Sequence, residues 1–231
     1  MLPSFSSAAR IASSANPDIP GSLLCQDLRV VFVLDESGSL TGTEITSVED
    51  GARALANALL NSGATLRIVE FNTRSSIVDL GVTEVNSTFI TRLNSYLGAG
   101  YNSQNYNPVS SGSCTGWTNW EDALEDVATL DADLVIFFTD GNPTAYNVLS
   151  GGDCFGTVNT GVTGDPSLDP AITQANLLKS QGKHLFVVGV GNSNEINLDN
   201  IKAISGEDVF GPGHDILTAD YTTPPFDALA E

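Results

Sequence analysis

The sequence predicts an α/β fold in which helices cover both faces of a mainly parallel central sheet, with one antiparallel strand at the sheet edge. Continuous apolar runs of six or seven residues recur along the chain, which is typical of strands that are buried on both faces. Segments with apolar residues at helical spacing lie between most of these runs. This alternation of strand and helix indicates a doubly wound sheet.

The strands are predicted where the apolar runs lie. The runs cover residues 28–34, 65–71, 76–80, 134–139 and 184–190, and a last short strand is predicted at 208–210. The run at 76–80 follows its predecessor too closely for a helical crossover, so we expect it to form the antiparallel edge strand through a hairpin.

Five helices are predicted between the strands from their apolar periodicity and their capping residues. They begin near Glu44, after Asn86, near Trp120, after Asp169 and near Ile196. Asn86 is a suitable N-cap for the second helix. Thr118 and Glu121 fit a capping box for the third helix. Asp169 followed by proline predicts the N-cap of the fourth. Two long polar loops, at residues 98–116 and 141–167, complete the pattern.

The composition excludes some classes of partner. The chain has 231 residues, with 28 Asp and Glu against 9 Lys and Arg, and a net charge of −19. Such a surface repels phosphate backbones and anionic membrane surfaces, so we expect no nucleic-acid partner. No apolar run reaches about 18 residues, so we expect no direct membrane insertion.

The chain is predicted to divide into an N-terminal extension and one domain. Residues 1–24 are rich in Ser, Ala and Pro and are predicted to be a linker or extension, whereas residues 25–231 are predicted to form the domain. The first 11 residues lack the pattern of a secretory signal. We therefore expect the chain to be part of a larger protein.

Oxygen-bearing side chains follow two of the predicted strands at their carboxyl ends, where open α/β sheets bind ligands. Asp35, Ser37 and Ser39 follow the first strand, Asp140 follows the strand at 134–139, and Thr118 precedes the third helix. Two carboxylates and three hydroxyls form an all-oxygen set, which suits a hard divalent cation. Because His and Cys are missing from the set, zinc is disfavoured. Mg²⁺ is the expected ion, with Mn²⁺ and Ca²⁺ as alternatives.

Each of these residues also has a purely structural interpretation. Ser37 and Ser39 could cap the following helix, Thr118 could belong to the capping box, and Asp140 with Gly141 could form a turn. The combination at the strand ends of one sheet favours the metal site.

These motifs resemble the metal-ion-dependent adhesion site of von Willebrand factor type A domains, which have a Rossmann-like fold. The resemblance rests on Asp35-x-Ser37-x-Ser39, Gly-x-Thr118-Asn and Thr-Asp140-Gly, in the order of that family, and covers residues 27–230. It implies direct metal contact by the three hydroxyls, with Asp35 and Asp140 often acting through water. It further implies two states that differ in the position of the last helix, from about Phe226.

The resemblance implies an adhesion module and not an enzyme. Segments such as Thr-Asp140-Gly-Asn-Pro-Thr are similar to those of bacterial cell-surface and pilus-tip adhesins. We therefore expect an extracellular location and a protein or glycan ligand that offers a carboxylate or another oxygen. Two alternatives remain open: a structural stalk domain, and a Mg²⁺-dependent subunit of an enzyme assembly.

Aromatic side chains lie in or near the long loops around this predicted site. They are Tyr96, Tyr101, Tyr106, Trp117 and Tyr146. They are expected either to pack the loops or to form a recognition surface, as aromatic residues do at interfaces.

The three cysteines predict one disulfide bond. Cys114 lies four residues before Thr118, and Cys154 lies in the loop after Asp140, so both belong to the predicted metal-bearing edge. Cys25 precedes the first strand, at the opposite edge, and is expected to stay unpaired. A Cys114–Cys154 bridge implies an oxidising compartment, and the alternative is three free thiols in a cytosolic protein.

Overall fold

The computed structural model describes residues 11–19, 27–40, 42–99, 101, 116–147, 156–157, 166–191, 196–206 and 216–219. Eight strands are present in this part of the chain: β1 (Arg29–Asp35), β2 (Thr65–Phe71), β3 (Ser75–Val78), β4 (Leu134–Thr139), β5 (Ala145–Tyr146), β6 (Gly156–Thr157), β7 (His184–Val190) and β8 (Ile216–Ala219). Five helices accompany them: α1 (Gly42–Ala58), α2 (Ser87–Ala99), α3 (Trp120–Thr129), α4 (Leu168–Ser180) and α5 (Leu198–Ser205).

The central sheet has six strands in the order β3-β2-β1-β4-β7-β8. All neighbouring pairs are parallel except β2 and β3, which are antiparallel. The predicted fold class is therefore confirmed, including the antiparallel strand at one edge. The chain moves from β1 first toward β2 and β3 and later to β4 on the other side of β1. This reversal opens a crevice at the carboxyl ends of β1 and β4.

Two apolar cores lie on the two faces of the sheet. Val31 and Val33 of β1 belong to the core that includes residues of α3, α4 and α5. Phe32 and Leu34 belong to the core that includes residues of α1 and α2. Alternate residues of one strand are thus buried against helices on opposite sides, which explains why the strand is apolar throughout.

Two predicted helix caps are wrong. The N-cap of α3 is Asn119 and not Thr118, because the Asn119 side chain accepts a hydrogen bond from the backbone of Asp122. The N-cap of α4 is Ser167 and not Asp169, because the fully buried Leu168 already belongs to the helix. The predicted cap at Asn86 is confirmed, since its side chain accepts hydrogen bonds from the backbone of Thr88 and Phe89.

Further differences concern the second half of the chain. The loop predicted at 141–167 contains β5 and β6, which form a separate antiparallel pair. The sequence did not predict β8, which pairs with the second half of β7. The strand predicted at 208–210, the helix from Phe226, and Cys25, Cys114 and Cys154 lie outside the described residues. Among the helices of the described ranges, none is long and apolar enough to cross a membrane.

Residues 11–19, predicted to belong to a linker, lie against the sheet and α4. The Asn16 amide donates to the carbonyl of Leu185 and accepts from its backbone N–H, both at 2.9 Å. Asn176 of α4 pairs with the segment in the same way, accepting from Ser14 N and donating to Ala12 O. β8 pairs with β7 only from Val187 onward. The Asn16 side chain therefore binds the backbone N–H and carbonyl of Leu185, which are not paired with β8. The predicted boundary at residue 25 stays a prediction.

Replacing Asn16 with alanine is expected to lower the free energy of unfolding by about 2 kcal/mol, because the buried backbone groups of Leu185 lose both partners. Denaturant unfolding checks this value. Asp18→Ala, at an exposed position of the same segment, is the control and should be close to neutral. Equal stability of the two variants would show that the segment does not stabilise the domain.

Candidate metal centre

The two aspartates that were predicted to be metal ligands lie at the crevice between β1 and β4. Asp35 is the last residue of β1, and Asp140 directly follows β4. Because the two strands are parallel neighbours, both carboxylates arrive at the same edge of the sheet. Asp35 is fully buried and Asp140 is 8% exposed.

A continuous set of hydrogen bonds joins these aspartates through the two serines. The backbone N–H of Ser37 donates to Asp35 Oδ1 at 2.8 Å. The hydroxyls of Ser37 and Ser39 lie 3.0 Å apart, and the Ser39 hydroxyl donates to Asp140 Oδ2. Four of the five predicted ligands therefore form one polar network. None of these contacts is a helix cap.

Thr118 is held on a loop that is bonded to both of the other site loops. Its backbone N–H donates to the Thr144 hydroxyl at 2.9 Å, and its carbonyl accepts from Thr144 and Ala145, just after Asp140. In the same loop, the carbonyl oxygen of Gly116 accepts a hydrogen bond at 2.9 Å from the backbone N–H of Gly38, the residue between Ser37 and Ser39. Thr118 is 2% exposed, so these bonds hold it beneath the surface between the other two site loops.

Three glycines allow close backbone contacts at the site. A Cβ at Gly38 would lie 3.3 Å from Gly116 O, and Gly116 itself has a φ of +84°. Gly141, directly after Asp140, has a φ of +95°, and a Cβ there would lie 2.8 Å from Asn197 N. Side chains at these positions would force the loops apart or strain the backbone.

Asp35 is held in place by residues that were not predicted to be metal ligands. The Thr139 hydroxyl donates to Asp35 Oδ2 at 2.8 Å and accepts from the indole N–H of the buried Trp120 at 3.1 Å. The Tyr101 hydroxyl donates to the carbonyl oxygen of Asp35 at 2.5 Å. Thr139 had a sequence signal as the last strand residue before Asp140, and Tyr101 was among the aromatic residues expected near the site. The particular contacts of Trp120 and Tyr101 depend on tertiary packing.

The electrostatics of the site favour a cation. Burial raises the pKa of Asp35, and the negative charge of Asp140 raises it further. Burial also raises the pKa of Asp140, and the charge of the buried Glu44 adds to this effect. A bound divalent cation would compensate these buried charges.

The donor set fits a hard cation. Within the described ranges, no group of three or more His, Cys, Asp or Glu is arranged to hold a metal ion. A metal at this edge would therefore depend on the hydroxyls of Ser37, Ser39 and Thr118 as well as on the two carboxylates. Such an all-oxygen set suits Mg²⁺, Mn²⁺ or Ca²⁺ better than zinc.

Comparison with known families agrees with this architecture. The sequence profile of the von Willebrand factor type A domain matches residues 30–214. The chain belongs to this family. The match spans all five proposed metal ligands of the type A domain, but their role in metal binding stays a prediction.

Solved structures share the fold of this type A domain. Manganese-loaded TRAP from Plasmodium vivax is similar with a TM-score of 0.58 and 22% identity, over 85% of this chain and 69% of that chain. The vWF domain of the type V pili tip protein Mfa5 from Porphyromonas gingivalis gives a TM-score of 0.57 and 12% identity, over 90% and 95% of the two chains.

A third similar structure is a much longer protein. The pilus adhesin SpaC from Lactobacillus rhamnosus GG gives a TM-score of 0.55 and 15% identity, over 94% of this chain but only 30% of that chain. Comparison with curated protein sequences gave no significant match. At these identities the solved structures show a shared fold and no more.

Proposed function

We propose that this type A domain is a metal-dependent adhesion module. Ser37, Ser39 and Thr118 would hold a divalent cation, with Asp35 and Asp140 compensating its charge. The observation that carries the proposal is the hydrogen-bonded network that runs from Asp35 through both serines to Asp140 across two strand ends. Mg²⁺ is the proposed ion, and Mn²⁺ or Ca²⁺ would suit the same oxygen ligands.

The ligand is proposed to be a protein or glycan that offers a carboxylate or another oxygen. When bound, the cation supplies a coordination position that a ligand oxygen can take from water. The chain's own residues leave access to that position, because Ser39 is exposed while Asp35 and Thr118 are buried below it. The exposed Ser39 is compatible with contact by a large partner such as a protein or glycan.

An extracellular location within a larger surface protein is proposed on the same grounds. The structural similarity to a pilus adhesin and a pilus-tip protein supports it. The net charge of −19 is compatible with a soluble surface that avoids nucleic acid and anionic lipid.

Catalysis is the weaker alternative. An aspartyl nucleophile for phosphoryl transfer usually relies on a nearby lysine to neutralise the phosphoryl oxygens. Lysine occurs only at positions 179, 183 and 202, and Lys183 precedes β7 at the opposite edge of the sheet. Both carboxylate oxygens of Asp35 already accept hydrogen bonds. The remaining alternative is a stalk domain in which the cation only stabilises the fold.

Calorimetric titration distinguishes these functions. The protein is first titrated with Mg²⁺, and the Mg²⁺-loaded protein is then titrated with acetyl-Ala-Glu-Ala-amide. We expect Mg²⁺ to bind with one site, and the peptide to bind only in the presence of Mg²⁺. The matched peptide with Gln in place of Glu should bind much more weakly. Mg²⁺ binding without peptide binding would favour the stalk function, and failure to bind Mg²⁺ would contradict the proposal.

A further inference from the structure

Among the described aromatic residues expected near the site, Trp117 is the exposed one, while Tyr146 is half-buried. The exposed fraction of Trp117 is 38%, whereas Tyr101 is 5% exposed. Tyr96 packs 6.3 Å from the Tyr101 ring, and its hydroxyl donates to Glu70 at 2.6 Å. These two tyrosines therefore serve packing. Tyr106 lies outside the described residues.

The backbone around Trp117 is fixed on both sides. Its own N–H donates to the Thr73 hydroxyl at 3.1 Å, and Gly116 before it is bonded to Gly38. After it, Thr118 is bonded to Thr144, and Asn119 N donates to Asn72 O at 2.9 Å. A large aromatic side chain on a rigid support loses little conformational entropy on binding, which is typical of residues that dominate interfaces.

The charges around Trp117 select the kind of group that it would contact. The described residues at the site are mostly acidic, namely Asp35 at the end of β1, Glu36 after it, Glu44 in the first turn of α1, Asp140 after β4, and Glu121 and Asp122 in the first turn of α3. Arg74, in the turn between β2 and β3, is the one basic residue of these segments and of that turn. The face of an indole ring attracts cations, and the surrounding negative field strengthens that preference.

We propose that Trp117 determines ligand specificity by binding the ammonium or guanidinium group of a Lys or Arg that neighbours the acidic residue on the cation. The inference rests on the proposed function. It narrows the class of ligand from any molecule that offers an oxygen to a protein segment with adjacent acidic and basic side chains. Trp117 and the proposed ligand Thr118 are consecutive residues, so their Cα atoms are about 3.8 Å apart, which is also the spacing of two neighbouring residues in a peptide ligand.

The two tryptophans of the chain allow the metal and ligand steps to be observed separately. The indole N–H of Trp120 is bonded to Thr139, which is bonded to Asp35, so its NMR resonance should shift with Mg²⁺. The Trp117 indole resonance should shift when acetyl-Ala-Glu-Lys-Ala-amide is added to the Mg²⁺-loaded protein. The two resonances are assigned with Trp117→Leu.

Affinities of matched peptides test the role of Trp117. We expect the Glu-Lys peptide to bind about tenfold more tightly than the same peptide with norleucine in place of lysine. In Trp117→Leu this preference should fall to about twofold or less, since long-range attraction by the net charge remains. Leu177→Ala, which removes another exposed apolar side chain (44% exposed) on α4, is the control and should keep the preference.

Each failure has a distinct meaning. If Mg²⁺ leaves the Trp120 resonance unchanged and does not bind, the proposed function falls and this inference falls with it. If Mg²⁺ and the Glu-Lys peptide bind but Trp117→Leu keeps the full preference for lysine, the proposed function stands and the role of Trp117 is overturned. Equal binding of the lysine and norleucine peptides by the unmodified protein would also overturn it.

Discussion

Replacing Asp140 with alanine is expected to abolish cation binding while the fold stays intact. The variant loses one of two carboxylates at the site and the acceptor for the Ser39 hydroxyl. In the absence of metal the variant should be about as stable as the unmodified protein, because removal of the negative charge that raises the pKa of Asp35 offsets the loss of the hydrogen bonds from Ser39 and Asn142. Calorimetric titration with Mg²⁺ and circular dichroism check the two parts of this expectation.

Thermal unfolding gives an independent measure of the same substitution. Mg²⁺ at about 100 times its dissociation constant should stabilise the unmodified protein by about 2.7 kcal/mol and leave Asp140→Ala unaffected. Asp50→Ala, which removes an exposed carboxylate from α1, changes the net charge equally and should keep the Mg²⁺ effect. Unchanged cation affinity in Asp140→Ala would remove Asp140 from the site.

Truncation of Phe137 to alanine is expected to have the largest effect on stability. Phe137 lies in the middle of β4 and is fully buried. Its ring centroid lies 5.2 Å from that of Phe71 and 5.8 Å from that of Trp120, which it meets edge to face. Removing the ring leaves a cavity between the sheet and α3, at a cost of about 3–5 kcal/mol.

Denaturant unfolding measures this loss, with Ile77→Ala as the control. Ile77 lies on the edge strand β3 and is 39% exposed, so its truncation should cost about 1 kcal/mol or less. If Phe137→Ala cost no more than Ile77→Ala, the core beneath the site would be packed differently from the structure described here.

The strands were predictable from the sequence because burial on both faces leaves an unambiguous apolar run. The predicted bounds of the strands at 65–71, 134–139 and 184–190 agree with β2, β4 and β7. The convergence of Asp35 and Asp140 was predictable for a related reason, since parallel strands deliver their carboxyl ends to one edge. The order of the strands then decides which residues meet.

Other features could not be predicted because they depend on contacts between distant residues. Thr118 and Asn119 are both suitable N-caps, and the choice of Asn119 follows from the bonds that hold Thr118 to Thr144. Asn16 and Leu185 are 169 residues apart, and a side chain that pairs with a strand edge has no local pattern. Likewise, nothing in the sequence separates the exposed Trp117 from the buried Tyr101.

The most direct test of the metal centre is a crystal structure of the protein with Mn²⁺, with anomalous scattering used to locate the ion. We predict one strong peak at the carboxyl ends of β1 and β4, within direct coordination distance of the hydroxyls of Ser37, Ser39 and Thr118. Asp35 and Asp140 should contact the ion directly or through a single water. A Mn²⁺ ion bound elsewhere, with these five side chains left without metal, would contradict the account.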